Sequence, residues 1–297
     1  MAHIDTIIAG YDGREEGREA VALAHLIARV TAAKLIVAAV FPYNPSHMGV
    51  EAYRRALEED RQTLLTPVLE TLDEITAEGR ALGDRSPARA LEGLIAEASA
   101  DLVVLGSTSR GALRRITLGS VAERLLHGAA CPVAVAPRGW SASDAELRVL
   151  AVGFDASRES RQALALAAEL AESASATLRV IGIVQGAPTG AASGGDAGVS
   201  GEPNLRRELR DALHEAVAEL PSELRAQPVV AHGDPASELA AKAEEGVDLI
   251  VLGSRGYGPL WRVVLGSVST ELISIAPCPV LVVPRAGSEP EPGDRGS

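Results

Sequence analysis

Residues 248–268 read DLIVLGSRGYGPLWRVVLGSV. An apolar run, Leu249 to Leu252, is followed by Gly253-Ser-Arg-Gly256, nine further residues, and then Gly266-Ser267-Val268. A buried β-strand that feeds a glycine-rich turn and then a helix start is how an α/β fold offers backbone N–H groups to phosphate. On this reading Gly253, at the carboxyl end of the strand, leaves room for a ligand where a Cβ would collide, and Gly256 supplies the permissive dihedral angles of a tight loop. Gly266 turns the chain so that the amides of Ser267 and Val268 open a helix, with the serine hydroxyl as an extra donor. A plain turn followed by a helix cap is the competing reading of the same residues.

The pattern occurs twice. Residues 101–120 read DLVVLGSTSRGALRRITLGS, against DLIVLGSRGYGPLWRVVLGS at 248–267, and the same offset carries Cys131-Pro132-Val133 onto Cys278-Pro279-Val280 and Pro137-Arg138 onto Pro284-Arg285. The chain is therefore a duplication, and a repeat has to be recognised before the fold is assigned. The predicted organisation is a first domain over 1–138, a linker over 139–146, a second domain over 147–285, and a disordered tail over 286–297 with a Glu-Pro-Glu-Pro-Gly run.

The duplicated motif resembles the universal stress protein family, and the resemblance covers both halves apart from the linker, one loop and the tail. ATP-binding members of that family carry G-x2-G-x9-G-(S/T), which the second half satisfies as Gly253, Gly256, Gly266 and Ser267. The first half has Gly106, Gly119, Ser120 and Val121 but places Ser109 where the second glycine belongs. The resemblance implies two tandem doubly wound five-stranded parallel sheets, Rossmann-like and similar to the adenine nucleotide alpha hydrolases. It also implies ATP or ADP as ligand, with Mg²⁺ on the phosphates. It assigns nucleotide contacts to Asp12 and Asp155 at the ends of the first strands, and backbone contacts to adenine at Val40 and Val184. In the family the last strand commonly pairs two units, so a tandem chain should form that pseudo-dimer internally. A homodimer beyond it and an unknown protein partner stay open.

Composition narrows the alternatives. A length of 297 residues with 46% apolar and only 3% aromatic residues suits two domains with cores of Ala, Val, Leu and Ile. A net charge of -12 argues against nucleic acid as a partner, because backbone binders need a basic surface. There is no long apolar run and no basic, apolar and small-residue leader, so no membrane association and a cytoplasmic location are expected. Cys131 and Cys278 each precede a proline before a terminal strand and read as small buried hydrophobes rather than a disulfide.

Alternating strands and helices predict a parallel sheet with the ligand crevice at the strand carboxyl ends. The reading places a long helix over residues 50–79 containing Pro67, a poor strand over 78–82, a helix opened by Ser120 with Glu123 as capping-box partner, and a flexible loop over 186–203. The dinucleotide fingerprint G-x-G-x-x-G is missing after the first strands, which end in Tyr11-Asp12-Gly13 and Phe154-Asp155-Ala156, and no G-x4-G-K-[ST] is present. No metal-ligand spacing and no nucleophile, base and acid set can be assembled. Arg110, Arg114, Arg115, Arg255 and Arg262 could supplement the phosphate segments or simply be solvated, and Tyr257 and Trp261 could cover a nucleotide or pack between units. The expectation is a nucleotide-dependent regulatory protein, with a slow ATP hydrolase, or an interaction module that has lost binding in one half, as alternatives. Nucleotide is expected in the second half, since Ser109 would carry roughly 1 kcal/mol of strain if its loop needs positive φ.

Overall fold

The computed structural model describes residues 3–43, 51–109, 116–117, 119–140, 146–185, 202–254 and 266–285. The first half runs β1 (Thr6–Gly10), α1 (Glu15–Thr31), β2 (Lys34–Phe41), α2 (Glu51–Leu69), β3 (Ala77–Gly83), α3 (Pro87–Ala98), β4 (Leu102–Gly106), β5 (Thr108–Ser109), β6 (Ile116–Thr117), α4 (Ser120–Gly128) and β7 (Val133–Ala136). The second runs β8 (Val149–Gly153), α5 (Arg158–Ser173), β9 (Thr177–Val184), α6 (Glu202–Ala218), β10 (Arg225–His232), α7 (Pro235–Glu244), β11 (Leu249–Gly253), α8 (Ser267–Ile275) and β12 (Val280–Val283).

One ten-stranded sheet carries both halves in the order β10-β9-β8-β11-β12-β7-β4-β1-β2-β3. Pairing is parallel within each half. The halves meet where β12 and β7 pair antiparallel, with Val280, Leu281 and Val282 opposite Val135, Ala134 and Val133. The expected internal pseudo-dimer is thus a single sheet sewn through the last strand of each unit.

The central strands are apolar throughout because helices cover both of their faces. Along β1 the side chains alternate: Ile7 and Ala9 join the core beneath α1, α2, α5 and α6, whereas Ile8 joins the core beneath α3, α4, α7 and α8. Each core runs across the junction between the halves. Both units also lock the start of their first strand in the same way. The Asp101 carboxylate accepts the amides of Asp5 and Thr6, each at 2.9 Å, and Asp248 accepts those of Arg148 and Val149 at 2.9 and 2.8 Å.

One predicted element is shortened and one weakly marked element is confirmed. The helix expected to reach residue 79 ends at Leu69, where it unwinds through tight turns from Thr71 N to Val68 O and Leu72 N to Leu69 O, both 3.1 Å. The segment that read as a poor strand is β3, paired along its length to β2. Its polarity follows from its position at the sheet edge, where Lys34–Glu78 and Arg80–Glu97 ion pairs of 2.7 and 2.6 Å suit a strand with one solvated side. In the second half α6 starts at Glu202 and takes in Pro203, which the sequence reading had assigned to the loop; the rest of that loop and the tail lie outside the described residues.

Candidate functional site

A cavity of about 460 Å³ opens at the carboxyl ends of β1 and β4. The start of α4 contributes Gly119, Ser120 and Val121, the β1–α1 connection contributes Tyr11, Asp12 and Arg14, and the first turn of α1 contributes Gly17. Ala38, Val40, Leu91 and Leu105 supply an apolar floor. Of the first-half residues singled out from sequence, Asp12, Val40, Gly106, Gly119, Ser120 and Val121 all line this one space.

The polar wall is a helix start. Gly119 is the cap residue of α4 with φ -64° and ψ 150°, and no side chain caps it. Its carbonyl accepts the Glu123 amide at 2.8 Å, so the amides of Ser120, Val121 and Ala122 precede the first intrahelical bond. Such an end favours anions through its free donors and the helix dipole. The predicted capping box is therefore absent: Ser120 is the first helical residue, and Glu123 lies one position too far along to reach back. Gly266 repeats the geometry at α8, with φ -64° and ψ 151° and again no side-chain cap.

Asp12 is held by its own turn. Its Oδ1 accepts the Arg14 amide at 3.0 Å, and Arg14 Nε lies 3.7 Å from its Oδ2. Asp155 repeats the turn, accepting the Ser157 amide at 3.1 Å. Gly17 allows this loop to sit close to α1, because a Cβ there would come within 2.9 Å of Asp12 Oδ1 and 3.0 Å of its amide nitrogen. The second half has Ser160 instead, whose hydroxyl donates to Ser157 O at 3.0 Å and accepts the Asp155 amide at 3.4 Å.

Other positions need a different account from the one the sequence suggested. A Cβ on Gly106 would fall 2.0 Å from Glu16 O, and one on Gly253 would fall 2.5 Å from the carbonyl carbon and oxygen of Glu159. The close passage of α1 and α5 over the strand ends by itself requires these glycines. Val184 is not the counterpart of Val40. Gly10 pairs with Ala38 and Gly153 with Ile181, so Val40 matches Ile183 and Val184 matches Phe41, on the opposite face of the sheet. Ser109 pairs with Ile116 in the β5–β6 ribbon, so its backbone is extended and the strain expected of positive φ does not arise.

Asp155, Gly253, Gly266, Ser267 and Val268 stand at the equivalent strand ends and helix start of the second half. Gly256, Tyr257, Trp261 and the five motif arginines lie outside the described residues. The lining residues Arg14, Gly17, Pro87 and Leu91 were missed by sequence reading. Only Gly17, a glycine in the first turns of a helix, carried a signal, since helices disfavour glycine unless close approach requires it. Cys131 and Cys278 are free and buried, and burial pushes both thiols up to about 12. Among the described residues no group of three His, Cys, Asp or Glu side chains could hold a metal ion, and no helix is long and apolar enough to cross a membrane.

Comparison with known proteins places this geometry. The model of the universal stress protein family matches residues 3–137 and again 146–284. A universal stress protein of Mycobacterium tuberculosis is 29% identical over 294 residues, spanning 94% of this chain and 99% of the relative. One from Thermus aquaticus is 31% identical over 138 residues, 43% of this chain and 95% of its own length. Among solved structures, a universal stress protein from Archaeoglobus fulgidus superposes with a TM-score of 0.71 at 24% identity, covering 95% of this chain and 99% of that one.

Proposed function

Because the chain belongs to the universal stress protein family in both halves, we propose that it is a regulatory protein that binds an adenine nucleotide, ATP or ADP, and changes its conformation or choice of partner with nucleotide state. The observation that carries this is the composition of the first-half cavity. It joins an uncapped helix start, suited to phosphate, to an apolar floor at Ala38, Val40, Leu91 and Leu105, suited to a base. Gly119, Ser120 and Val121 would hold the phosphates through their amides, with the Ser120 hydroxyl as a further donor. Asp12 would accept from a hydroxyl or amino group of the nucleoside. Mg²⁺ would arrive on the phosphates. A reducing cytoplasm fits the two free thiols, and a homodimer would add to the internal pair without altering the cavity.

Acid extraction of the purified full-length chain followed by chromatography, together with calorimetric titration of ATP and ADP, tests the reading. Retained or titratable nucleotide is expected, and Gly119→Glu should abolish it by putting a carboxylate at the anion end while the fold is kept. Absence of nucleotide from the wild-type chain in both measurements would refute it.

A further inference from the structure

The two units open their first helix differently. Asp12 and Asp155 form the same turn, accepting the amides of Arg14 and Ser157 at 3.0 and 3.1 Å, so Arg14 and Ser157 are equivalent. Each is the cap residue of the helix that follows, with extended backbone of φ -87° and ψ 173° at Arg14 and φ -68° and ψ 164° at Ser157. Ser157 does what a cap residue is favoured for, its hydroxyl accepting the Ser160 amide at 3.1 Å. Arg14 has no acceptor to offer, and α1 starts without a side-chain cap. The first unit therefore forgoes a helix cap that the same backbone supports in the second.

What stands there instead is a cation at the cavity. Arg14 lines the space together with Asp12 and Glu16, and it is the one basic side chain among the described residues that do so. The described walls would otherwise carry two carboxylates and no positive charge, in a chain of net charge -12. Such a field opposes an anionic ligand, whereas the uncapped start of α4 on the same cavity favours one. The arginine is loosely held. Its Nε lies 3.7 Å from Asp12 Oδ2 and its side chain is 80% exposed, a pair weak enough for a better acceptor to displace. A phosphate is such an acceptor, since it matches the planar guanidinium with two parallel hydrogen bonds. The exchange would leave Asp12 Oδ2 to accept from the nucleoside.

We infer that Arg14 binds a phosphate group of the nucleotide and makes the first cavity select phosphorylated adenosine over adenosine itself. The inference rests on the reading of this cavity as a nucleotide site, and it adds a charged side chain from outside the glycine motif to the amides at the start of α4. It also accounts for the missing cap. A serine at position 14 would suit α1 better, and the arginine suits the ligand.

Calorimetric titration of the full-length chain with ATP, and with adenosine by displacement, tests this together with thermal melting. The titrations are run in the wild-type chain and in a Gly266→Glu background, which puts a carboxylate at the equivalent helix start of the second half. The wild-type chain should prefer ATP to adenosine. Arg14→Ser should weaken ATP binding roughly tenfold or more, leave adenosine binding unchanged, and raise the melting temperature by a few degrees because a serine there restores the cap. Arg14→Lys, which keeps the charge without the paired hydrogen bonds, should retain part of the ATP preference and none of the gain in stability. Equal wild-type affinity for the two ligands, unaltered ATP affinity in Arg14→Ser, or an equal loss for adenosine would overturn the inference while leaving nucleotide binding intact. A lowered melting temperature in Arg14→Ser would overturn it too, by showing that the arginine supports the fold. A wild-type chain that takes neither ligand would overturn the reading of the cavity as well.

Discussion

The buried carboxylate of Glu19, in α1, accepts a hydrogen bond from the amide of Gly139 on the chain leaving β7. Its second oxygen has no partner, and the side chain is 4% exposed. Burial raises its pKa above the ordinary 4.5; the Gly139 amide opposes this, Glu15 and Glu16 add to it, and Arg138 offsets it. The second half places Gln162 at this position, and its Oε1 is likewise buried without a partner. A raised carboxylate means that the folded state binds the proton more tightly than the unfolded chain, so ionised Glu19 destabilises the fold. That loss sets in as pH rises through 4.5 and is complete once pH exceeds the folded-state value. Glu19→Gln keeps the acceptor and should stabilise the protein at pH 7 by on the order of 1 kcal/mol. Below 4.5 the gain should disappear, since both side chains are then neutral. Urea unfolding at the two pH values measures it, and an equal gain at both would contradict the assignment.

Glycines should respond to substitution according to what surrounds them. Gly106→Ala drives a methyl into the Glu16 backbone and should cost roughly 3 kcal/mol or more, as overpacking against backbone does. Gly93, in the middle of α3, has nothing within 4 Å of a built Cβ. Gly93→Ala should stabilise by about 0.5–1 kcal/mol through helix propensity alone. Thermal melts of the two variants should move in opposite directions.

The carboxylates of Asp101 and Asp248 each satisfy two backbone amides at the entrance to a first strand. Asp101→Ala and Asp248→Ala should each destabilise by about 2–3 kcal/mol, the scale of hydrogen bonds to a charged acceptor. Because the sites are far apart in sequence and share no partners, the double variant should lose the sum. A much smaller loss in one half, measured by chemical denaturation, would show that solvent replaces the carboxylate there.

Cys131 and Cys278 have thiols shifted to about 12 by burial, with Asp101 and Asp248 respectively adding to the effect. The thiolate is the reactive form, so iodoacetamide at pH 8 should leave both unmodified in the native chain and label both in denaturant. Rapid labelling of either residue under native conditions would mean that its strand end opens far more readily than the rest of the core.

Much of the architecture was legible because it rests on local patterns. The apolar runs at Leu249–Leu252 and Leu102–Leu105 can only be strands covered on both faces, and their repetition fixed the number of units. Two kinds of feature were not legible. β3 has an edge strand's composition, so residues 78–82 read only as a poor strand, overlapping the end of the preceding helix, until their partner β2 is known. The role of Gly106 depends on a carbonyl in α1 far away in sequence, and the equivalence of Val40 with Ile183 depends on register, where a slip of one residue exchanges the two faces. The candidate cavity was half legible. Its polar wall is a motif, whereas its floor of Ala38, Val40, Leu91 and Leu105 is assembled from β2, α3 and β4, which only the fold brings together.

The antiparallel seam between β7 and β12 also determines how the two units can diverge. In an assembly of identical single-unit chains, the same seam would form by collision, would thin out on dilution, and would present every substitution twice, once on each side of the axis. Here the residues between Ala136 and Val149 tether one unit to the other, at an effective concentration on the order of millimolar however scarce the protein is. Each unit therefore always meets the same, distinct neighbour. Ala38 in one unit with Ile181 at the equivalent position of the other, and Glu19 likewise with Gln162, are differences that a symmetric pair of copies could never hold.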